Sequence, residues 1–355
     1  MLCNHIQKKG FIRPKTKPLP GTKLVKPSID KKFTPGDLID HIPIGDPSEW
    51  TVQRLTNRDY WLFNMAYSIT VHVGDESVLI IDCPTFMTTQ GIVENVAKIT
   101  PLPISTLVYT HHHIDHIGDT KYLIEIAKAE NREIEIIGSE KCYSEIKRYR
   151  EHCVLPTKVI PEGYQKFTFE DREFKMVTPS VWAHCGSDSY IITPEGVAQF
   201  DDFVYPGALP LANISNLENW DGYIHFLRCL AGDTWHLANL GHSNIGCKAD
   251  VMRTLEYFED IYQVGMAYYR ENWNPATMVK APQFMRKNAA VVLRMGMDMQ
   301  AGAIAKKLYP KWGKTPHWEV ARDHIEHVLT DIGMYYDFLD ENATPVSFSP
   351  IAVPD

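Results

Sequence analysis

The feature that most constrains this chain is a run of histidines at the end of a predicted strand. Residues 105–110 are β-prone and are followed at once by HHHIDH, residues 111–116. A strand that ends there fixes the backbone, so imidazoles two residues apart can converge on one cation while Asp115 and His116 face a second. Neutral imidazoles have little reason to cluster without a cation or a proton relay. The run therefore predicts a metal site.

The segments around this run alternate between strand-like and helical patterns. Short β-rich runs over residues 50–82, bounded by turn residues, predict a meander of antiparallel strands. An amphipathic helix is predicted over residues 88–99 and another begins near Asp119. Further strand-like runs follow at residues 167–170, 174–178, 189–193 and 197–201. This alternation predicts two similar halves, each a sheet with helices packed outside it.

The two ends of the chain differ from the middle. Residues 1–48 contain nine lysines and arginines, scattered prolines and little apolar periodicity, which predicts a basic arm on the surface or, alternatively, a binding tail. A catalytic domain is predicted over residues 49–270. Residues 271–355 are predicted to form a C-terminal helical extension with one apolar stripe over residues 318–339. That stripe is expected to pack on the domain or, alternatively, at an oligomer interface.

Further candidate ligands stand where strand-like runs end. His184 follows one such run, Asp201 and Asp202 follow residues 197–200, and His242 lies between residues 235–240 and a helix. Each of these residues alone is more often a surface or core residue than a ligand. Together with the histidine run they complete a ligand set for two metals.

With this set the chain resembles the metallo-β-lactamase-fold superfamily, whose members carry H-x-H-x-D-H, then a histidine, an aspartate and a last histidine. The resemblance covers roughly residues 50–265 and implies an α/β fold, a four-layer αβ/βα sandwich with metals at one edge of two facing sheets. It also implies two metal-binding groups and their surroundings. His111, His113 and His184 would hold one metal, Asp115, His116 and His242 the other, with Asp202 bridging and Asp82 and Asp201 supporting them from behind.

Which aspartate bridges is left open. Asp202 is preferred because residues 202–207 resemble the family's D-x-x-x-P-G run, whereas Asp201 occupies the place of a usual small residue. An aspartate at position 202 is similar to the ligand set of the glyoxalase II and lactonase branches, since one zinc β-lactamase branch has a cysteine there.

The resemblance implies two divalent ions, with zinc expected and iron or manganese as alternatives. The implied reaction is attack by a metal-bridging hydroxide on an ester, lactone or thioester, with a lactonase-like substrate favoured. Asp115 or its metal-bound water is expected to pass a proton to the leaving group. Tyr205 is similar in placement to a tyrosine that holds the substrate carbonyl in acyl-homoserine lactonases, although core packing is its alternative role.

Several other functions remain open at this point. A phosphodiesterase or nuclease, a β-lactam hydrolase and an iron-dependent persulfide dioxygenase can use similar ligands, and a metal-bearing scaffold without turnover is the non-enzymatic alternative. Flavodiiron relatives typically carry glutamate where His113 stands, which favours hydrolysis over that redox chemistry. Persulfide dioxygenases keep the histidines, so this difference does not exclude them.

The amino-acid composition limits the kinds of molecule that the chain is expected to bind. With 36 Lys and Arg against 44 Asp and Glu, the formal charge of −8 provides no overall field for a polyanion, which argues against nucleic acid. The chain lacks an apolar run of about 18 residues, and its first residues do not resemble a secretory signal. Its seven cysteines form no C-x-x-C pair. We therefore expect a cytoplasmic protein without a membrane partner that acts on a small molecule, with a homo-oligomer through the C-terminal helices as an option.

Overall fold

The structure is a computed structural model, and it describes residues 22–149, 152–272 and 289–335. The first described residues form a short parallel pair, β1 (Leu24–Val25) with β2 (Leu38–Ile39). A seven-stranded sheet follows in chain order, and its strands are β3 (Thr51–Arg54), β4 (Asp59–Asn64), β5 (Tyr67–Val73), β6 (Val78–Ile81), β7 (Ile104–Val108), β8 (Glu135–Ser139) and β9 (Lys158–Ile160). Neighbours from β3 to β6 are antiparallel, as the predicted meander requires, and those from β6 to β9 are parallel.

A second sheet has five strands, also in chain order. They are β10 (Gly163–Phe169), β11 (Arg172–Thr178), β12 (Tyr190–Ile192), β13 (Val197–Gln199) and β14 (Leu237–Asn239). The first four are antiparallel, and β13 pairs with β14 in parallel.

The helices follow the strands of both halves. Those of the first half are α1 (Thr89–Ile99), α2 (Ile114–Ile117), α3 (Thr120–Ala129) and α4 (Glu140–Tyr149). Those of the second half are the four-residue turn α5 (Asn213–Asn216), α6 (Trp220–Gly232), α7 (Lys248–Asn272), α8 (Ala289–Trp312) and α9 (Ala321–Tyr335). All four residues of α5 have positive φ, so this turn is left-handed.

Alternation along the strands creates the layers. In β6, Leu79 and Ile81 join the apolar cluster between the two sheets, whereas Val78 and Ile80 join the cluster under α1 and α3. Successive side chains of a strand point to opposite faces, so a strand buried on both faces lies between two layers. In β12, Ile191 faces the first sheet and its neighbour Tyr190 faces the C-terminal helices. The order helices, sheet, sheet, helices confirms the predicted four-layer sandwich.

The C-terminal helices bury their apolar faces within the chain. Ile325, Val328 and Ile332 of α9 lie in one buried cluster with residues of α6, α7 and α8. This part of the predicted stripe therefore packs on the same chain, while Leu339 lies outside the described residues. Helix α7 runs without interruption past residue 270. The predicted domain boundaries at residues 48 and 270 stay predictions.

Residues 22–48, here called the strap, are held firmly against the first sheet. Phe33 and Ile39 are buried with residues of β4, β13 and β14. The side-chain amide of Asn244 makes two hydrogen bonds of 3.0 Å with the backbone of Ile39, one in each direction. The described part of the predicted arm thus contributes to the core as well as to the surface.

The pairing of the strands sets the place of the site. Strand β7 ends shortly before His111, β13 before Asp201 and β14 before His242. Because the carboxyl ends of parallel strands meet at the same edge, these loops converge at one end of the sandwich. In the described part of the chain, no helix combines the length and apolar content needed to cross a bilayer.

Replacing Gly222 should destabilise the fold, because α6 approaches the loop of His184 at this glycine. A Cβ there would lie 1.7 Å from the carbonyl oxygen of Trp182. We expect Gly222→Ala to lower the free energy of unfolding by about 1–3 kcal/mol through overpacking, measured by urea titration. Gly296→Ala is the matched control, since a Cβ in α8 meets no described atom within 4 Å. It should raise stability by about 0.5–1 kcal/mol; equal stability of the two variants would contradict this packing.

Asp331 should make stability depend on pH. Burial and the nearby Asp221 raise the pKa of Asp331 from 3.8 to about 7, and among described residues its Oδ2 has no hydrogen-bond partner. The unfolded chain ionises this group near pH 4 and the folded chain only near pH 7, so stability falls between those values. Asp331→Asn should remove that fall. The melting temperature of this variant, relative to that of the wild type, should therefore rise from pH 5 to pH 8. The exposed Asp323→Asn on the same helix is the control, and parallel pH profiles for wild type and Asp331→Asn would disprove the effect.

Candidate metal centre

The loop after β7 is anchored by a buried carboxylate. Asp82, at the end of β6, accepts hydrogen bonds from the backbone N–H of Thr110 at 2.9 Å and from its hydroxyl at 2.7 Å. The Cys83 N–H donates to the carbonyl of His116 at 2.8 Å, which holds the far end of the same loop. Buried, satisfied polar contacts of this kind restrict a loop to one conformation. The histidines are therefore presented in a defined arrangement.

The first group of candidate ligands is His111, His113 and His184. Their ligand atoms lie within 4.8 Å of one another, and His184 Nε2 is 3.0 Å from His113 Nδ1. His111 Nδ1 lies 3.0 Å from the Thr110 hydroxyl, while the buried His111 Nε2 has no hydrogen-bond partner among the described residues. Burial and the neighbouring imidazoles lower the pKa of His111 well below its usual value and that of His113 to about 3. Both rings are thus neutral, as metal binding requires.

The second group is Asp115, His116 and His242. His116 Nε2 and His242 Nε2 are 3.0 Å apart. Asp115 Oδ2 lies 3.7 Å from the former and 3.8 Å from the latter. His242 Nδ1 donates to the carbonyl of Ala66 at 3.0 Å, which turns its Nε2 lone pair toward the group. Burial opposes a charge on His116, but the surrounding carboxylates outweigh it and raise its pKa.

Asp202 lies between the two groups. Its Oδ2 is 3.8 Å from His111 Nε2 and 3.5 Å from His184 Nε2. Its Oδ1 is 3.2 Å from His242 Nε2. Burial disfavours the charged form, but the histidines outweigh it and lower the pKa of Asp202 well below its usual value. An ionised carboxylate therefore faces both groups of imidazoles.

Asp201 faces the opposite way, behind His116. Its Oδ2 is 3.0 Å from His116 Nδ1 and 3.1 Å from the Thr110 hydroxyl. Gly241, with φ of 77°, packs on this carboxyl group, and a Cβ there would lie 2.6 Å from it. Gly241 is thus required for two reasons: its φ is positive, and a Cβ at this position would collide with Asp201. Asp82 Oδ2 is 3.6 Å from His116 Nδ1, so both carboxylates orient that imidazole.

These donors fit divalent cations. Donor atoms that share a zinc ion at about 2.0–2.1 Å in tetrahedral geometry lie about 3.3 Å apart, close to the 3.0–3.8 Å found here. The unpartnered His111 Nε2 is the kind of buried atom that a cation would satisfy. The arrangement could hold divalent metal ions that act as Lewis acids.

Tyr205 lines the cavity beside His242, but its hydroxyl is bonded within the chain. Its hydroxyl is 2.7 Å from the Ser215 hydroxyl in the left-handed turn α5, and the residue is buried. The structure thus places this group against α5 and not against a ligand, and its role toward a substrate carbonyl stays a prediction.

Tyr67 is a site residue that the sequence analysis missed. Its hydroxyl donates to Asp115 Oδ2 at 3.4 Å, and its ring centre lies 4.6 Å from that of His242. Burial and then Asp115 raise its pKa to about 12, so it remains a donor at neutral pH. It is the first residue of β5, 48 positions before Asp115. No spacing in the sequence marks this contact.

Two cavities flank the ligands. One of about 1020 Å³ borders His113 and is lined by charged residues that include Glu140, Lys141 and Glu145. The other, of about 520 Å³, borders His242 and has mostly apolar walls. A substrate can therefore reach the ligands from either side.

Comparison with known proteins agrees with this geometry. The family model described as the metallo-beta-lactamase superfamily matches residues 60–195, which include β4 to β12 and the histidine loop. The resemblance inferred from the histidine motif is therefore confirmed over residues 60–195. No curated protein sequence matches the chain significantly.

One solved structure supports this fold at low sequence identity, and two others are similar at lower TM-scores. A double mutant of the sec-alkyl sulfatase PisA1 is 14% identical with a TM-score of 0.54, over 81% of this chain and 50% of that one. The chain thus spans half the length of that enzyme. Metallo-beta-lactamase IND-7 is 16% identical over 59% of this chain and 97% of its own, with a TM-score of 0.49. The metallo-beta-lactamase from Pontibacter korlensis is 14% identical over 59% and 98%, with a TM-score of 0.46.

Removing His111 should release metal without unfolding the domain. We expect His111→Ala to bind at most about half the metal of the wild type, because its Nε2 is a donor of the first group. Elemental analysis of the purified protein measures this, and far-ultraviolet circular dichroism should be unchanged. His236→Ala, at an exposed histidine that belongs to none of the ligand groups, should keep the full metal content. Full metal content in His111→Ala would refute its place in the centre.

Proposed function

We propose that the protein is a metal-dependent hydrolase that cleaves an ester, lactone or thioester, with two divalent cations held on either side of Asp202. The position of Asp202 carries this proposal. Its Oδ2 lies 3.5–3.8 Å from His184 and His111 of the first group and 3.3 Å from His116 of the second. Its Oδ1 lies 3.2 Å from His242 of the second group. A carboxylate in that position can join two cation sites, which supports Asp202 rather than Asp201 as the bridge.

The bound cations would lower the pKa of a water molecule toward about 7 and polarise the oxygen of the scissile group. The chain's own contribution is to hold the imidazoles, of which those of His111 and His113 are neutral, and the ionised carboxylate of Asp202 in fixed places. Zinc suits this mixture of histidine and aspartate donors, and iron or manganese are the alternatives that metal analysis separates.

Asp115 is the group best placed to move a proton. Its side chain is 32% exposed, whereas those of His116 and Asp202 are buried. Tyr67 donates to Asp115 Oδ2 and so orients the carboxylate beside the second group of ligands. We assign Asp115 the transfer of a proton to the leaving group, with Tyr67 as its positioning residue.

The surroundings favour a substrate with apolar parts. Phe86, Ile114 and Trp182 are all more than half exposed. Ile114 lies between His113 and Asp115, Trp182 lies two residues before His184, and Phe86 stacks on Tyr67 with ring centres 5.3 Å apart. Large apolar side chains exposed around a polar centre are typical of small-molecule sites.

The six described cysteines are all free thiols, which supports the proposed cytoplasmic location.

A substrate panel on metal-quantified protein tests the reaction class. We expect turnover of p-nitrophenyl butyrate, a γ-lactone or a butyryl thioester, abolished by EDTA and restored by zinc. Turnover of only bis-p-nitrophenyl phosphate, nitrocefin or a secondary alkyl sulfate would replace this proposal with that hydrolase class. Iron content with oxygen uptake on a persulfide would replace it with oxidation, and a metal-loaded protein inert on every substrate would indicate a scaffold.

The two aspartates should respond differently to replacement. Asp202→Asn should lose at least one cation and lower kcat/KM by about 1000-fold or more, because it faces both groups of ligands. Asp201→Asn, of the same size and charge change, should cost only about 10–100-fold, because it acts through His116. Metal content and kcat/KM of both variants measure this. The reverse order would assign the bridge to Asp201.

A further inference from the structure

The cavity of about 520 Å³ beside His242 lies between the strap and the loops that follow β13 and β14. Its walls come from segments far apart in sequence. The apolar side chains that line it include Leu24, Leu38, Ile42, Ile44, Leu211 and Pro316. All of these except Leu211 and Pro316 belong to the strap, and all six lie outside residues 60–195. The cavity is therefore particular to this chain's additions to the domain.

Three of these side chains are unusually exposed. Leu24 is 43%, Ile44 57% and Leu211 41% exposed. Single exposed apolar residues are ordinary, but several that converge on one concave surface next to a polar centre mark a binding site. The surface is thus suited to an apolar ligand.

The charge of the cavity excludes an anionic occupant. Its ionisable lining residues are Asp40, Tyr205, His242 and His317. No lysine or arginine is among the described residues that line it. A sulfate or phosphate bound against the strap, away from the metal ligands, would lose its hydration without gaining a permanent cation as partner. A neutral hydrocarbon chain has no such cost.

The cavity wall is connected directly to a metal ligand. Asn244, two residues after His242, holds Ile39 of the strap by two hydrogen bonds of 3.0 Å. The Gly45 N–H donates to the carbonyl of Met65 at 2.7 Å, which holds the other end of the strap on the turn before β5. Because both attachments hold backbone groups of the strap, the wall is part of the fold and stands in a fixed place beside His242.

We propose that this cavity binds the apolar acyl chain of the substrate and that the strap sets the chain length accepted. This inference rests on the proposed function, since the scissile group would lie at His242 and the chain would extend from it along Leu38 toward Leu24. The polar cavity beside His113 is left for the leaving group. The substrate class is therefore an ester, lactone or thioester of a medium-length, uncharged acyl chain.

The first experiment uses p-nitrophenyl esters from acetate to decanoate with the metal-loaded protein. We expect kcat/KM to rise about 3- to 4-fold for each added methylene until the cavity is full, mainly through a lower KM. Leu38→Trp fills the cavity from the strap and Leu211→Trp from the opposite wall. Each should lower kcat/KM for octanoate at least 10-fold more than it lowers kcat/KM for acetate. Val159→Trp, which narrows the polar cavity, is the matched control and should leave the chain-length profile unchanged.

The second experiment does not depend on hydrolysis. Nile red bound to the EDTA-treated protein should be displaced by 1-decanol but not by 1-propanol. Leu38→Trp and Leu211→Trp should abolish dye binding, and Val159→Trp should keep it. Loss of binding only in Val159→Trp, or a flat chain-length profile without displacement by decanol, overturns the proposal. Specific decanol binding without any ester hydrolysis would support the cavity while refuting the proposed reaction.

Discussion

The site depends on a buried polar junction between the two sheets. Thr110, after β7 of the first sheet, lies 2.7 Å from Asp82 of that sheet and 3.1 Å from Asp201, after β13 of the second. Gln199 Nε2 lies 3.3 Å from Asp82 and 3.4 Å from Asp201. Buried polar groups are costly unless satisfied, so this network fixes one register of the sheets. It also places His116 between Asp82 and Asp201, from which the remaining ligand positions follow.

Ligands and substrate-contacting surfaces have different origins in this chain. The candidate ligands come from loops at the edge of the shared sandwich, whereas the apolar cavity is built by the strap and by residues near Pro316. A common fold can support many reactions when its ligands stay on rigid strand ends and its walls come from added segments. The strap has this role here because Asn244 and Met65 hold its backbone in place.

Much of the fold and of the ligand set was predictable because the signals were local. Residues 111–116 lie within one loop, and strand or helix periodicity marked the meander and α1. The four layers were expected from the family resemblance. Other features were not local. The strap's basic composition predicted a surface arm, yet Phe33 and Ile39 are buried through contacts with β4, β13 and β14. Tyr67 reaches Asp115 across 48 positions and the Tyr205 hydroxyl meets Ser215, contacts that no spacing specifies.

The sequence by itself determined which residue types could bind a metal and on which strand ends they stand, because spacing within a loop limits where neighbouring side chains can point. Only the tertiary structure decided which way Asp201 and Asp202 face. The two adjacent aspartates point in different directions, and Gly241 and His116 pack against Asp201. Packing between segments more than 100 residues apart, such as Ile39 and Asn244, likewise decided where the apolar cavity lies.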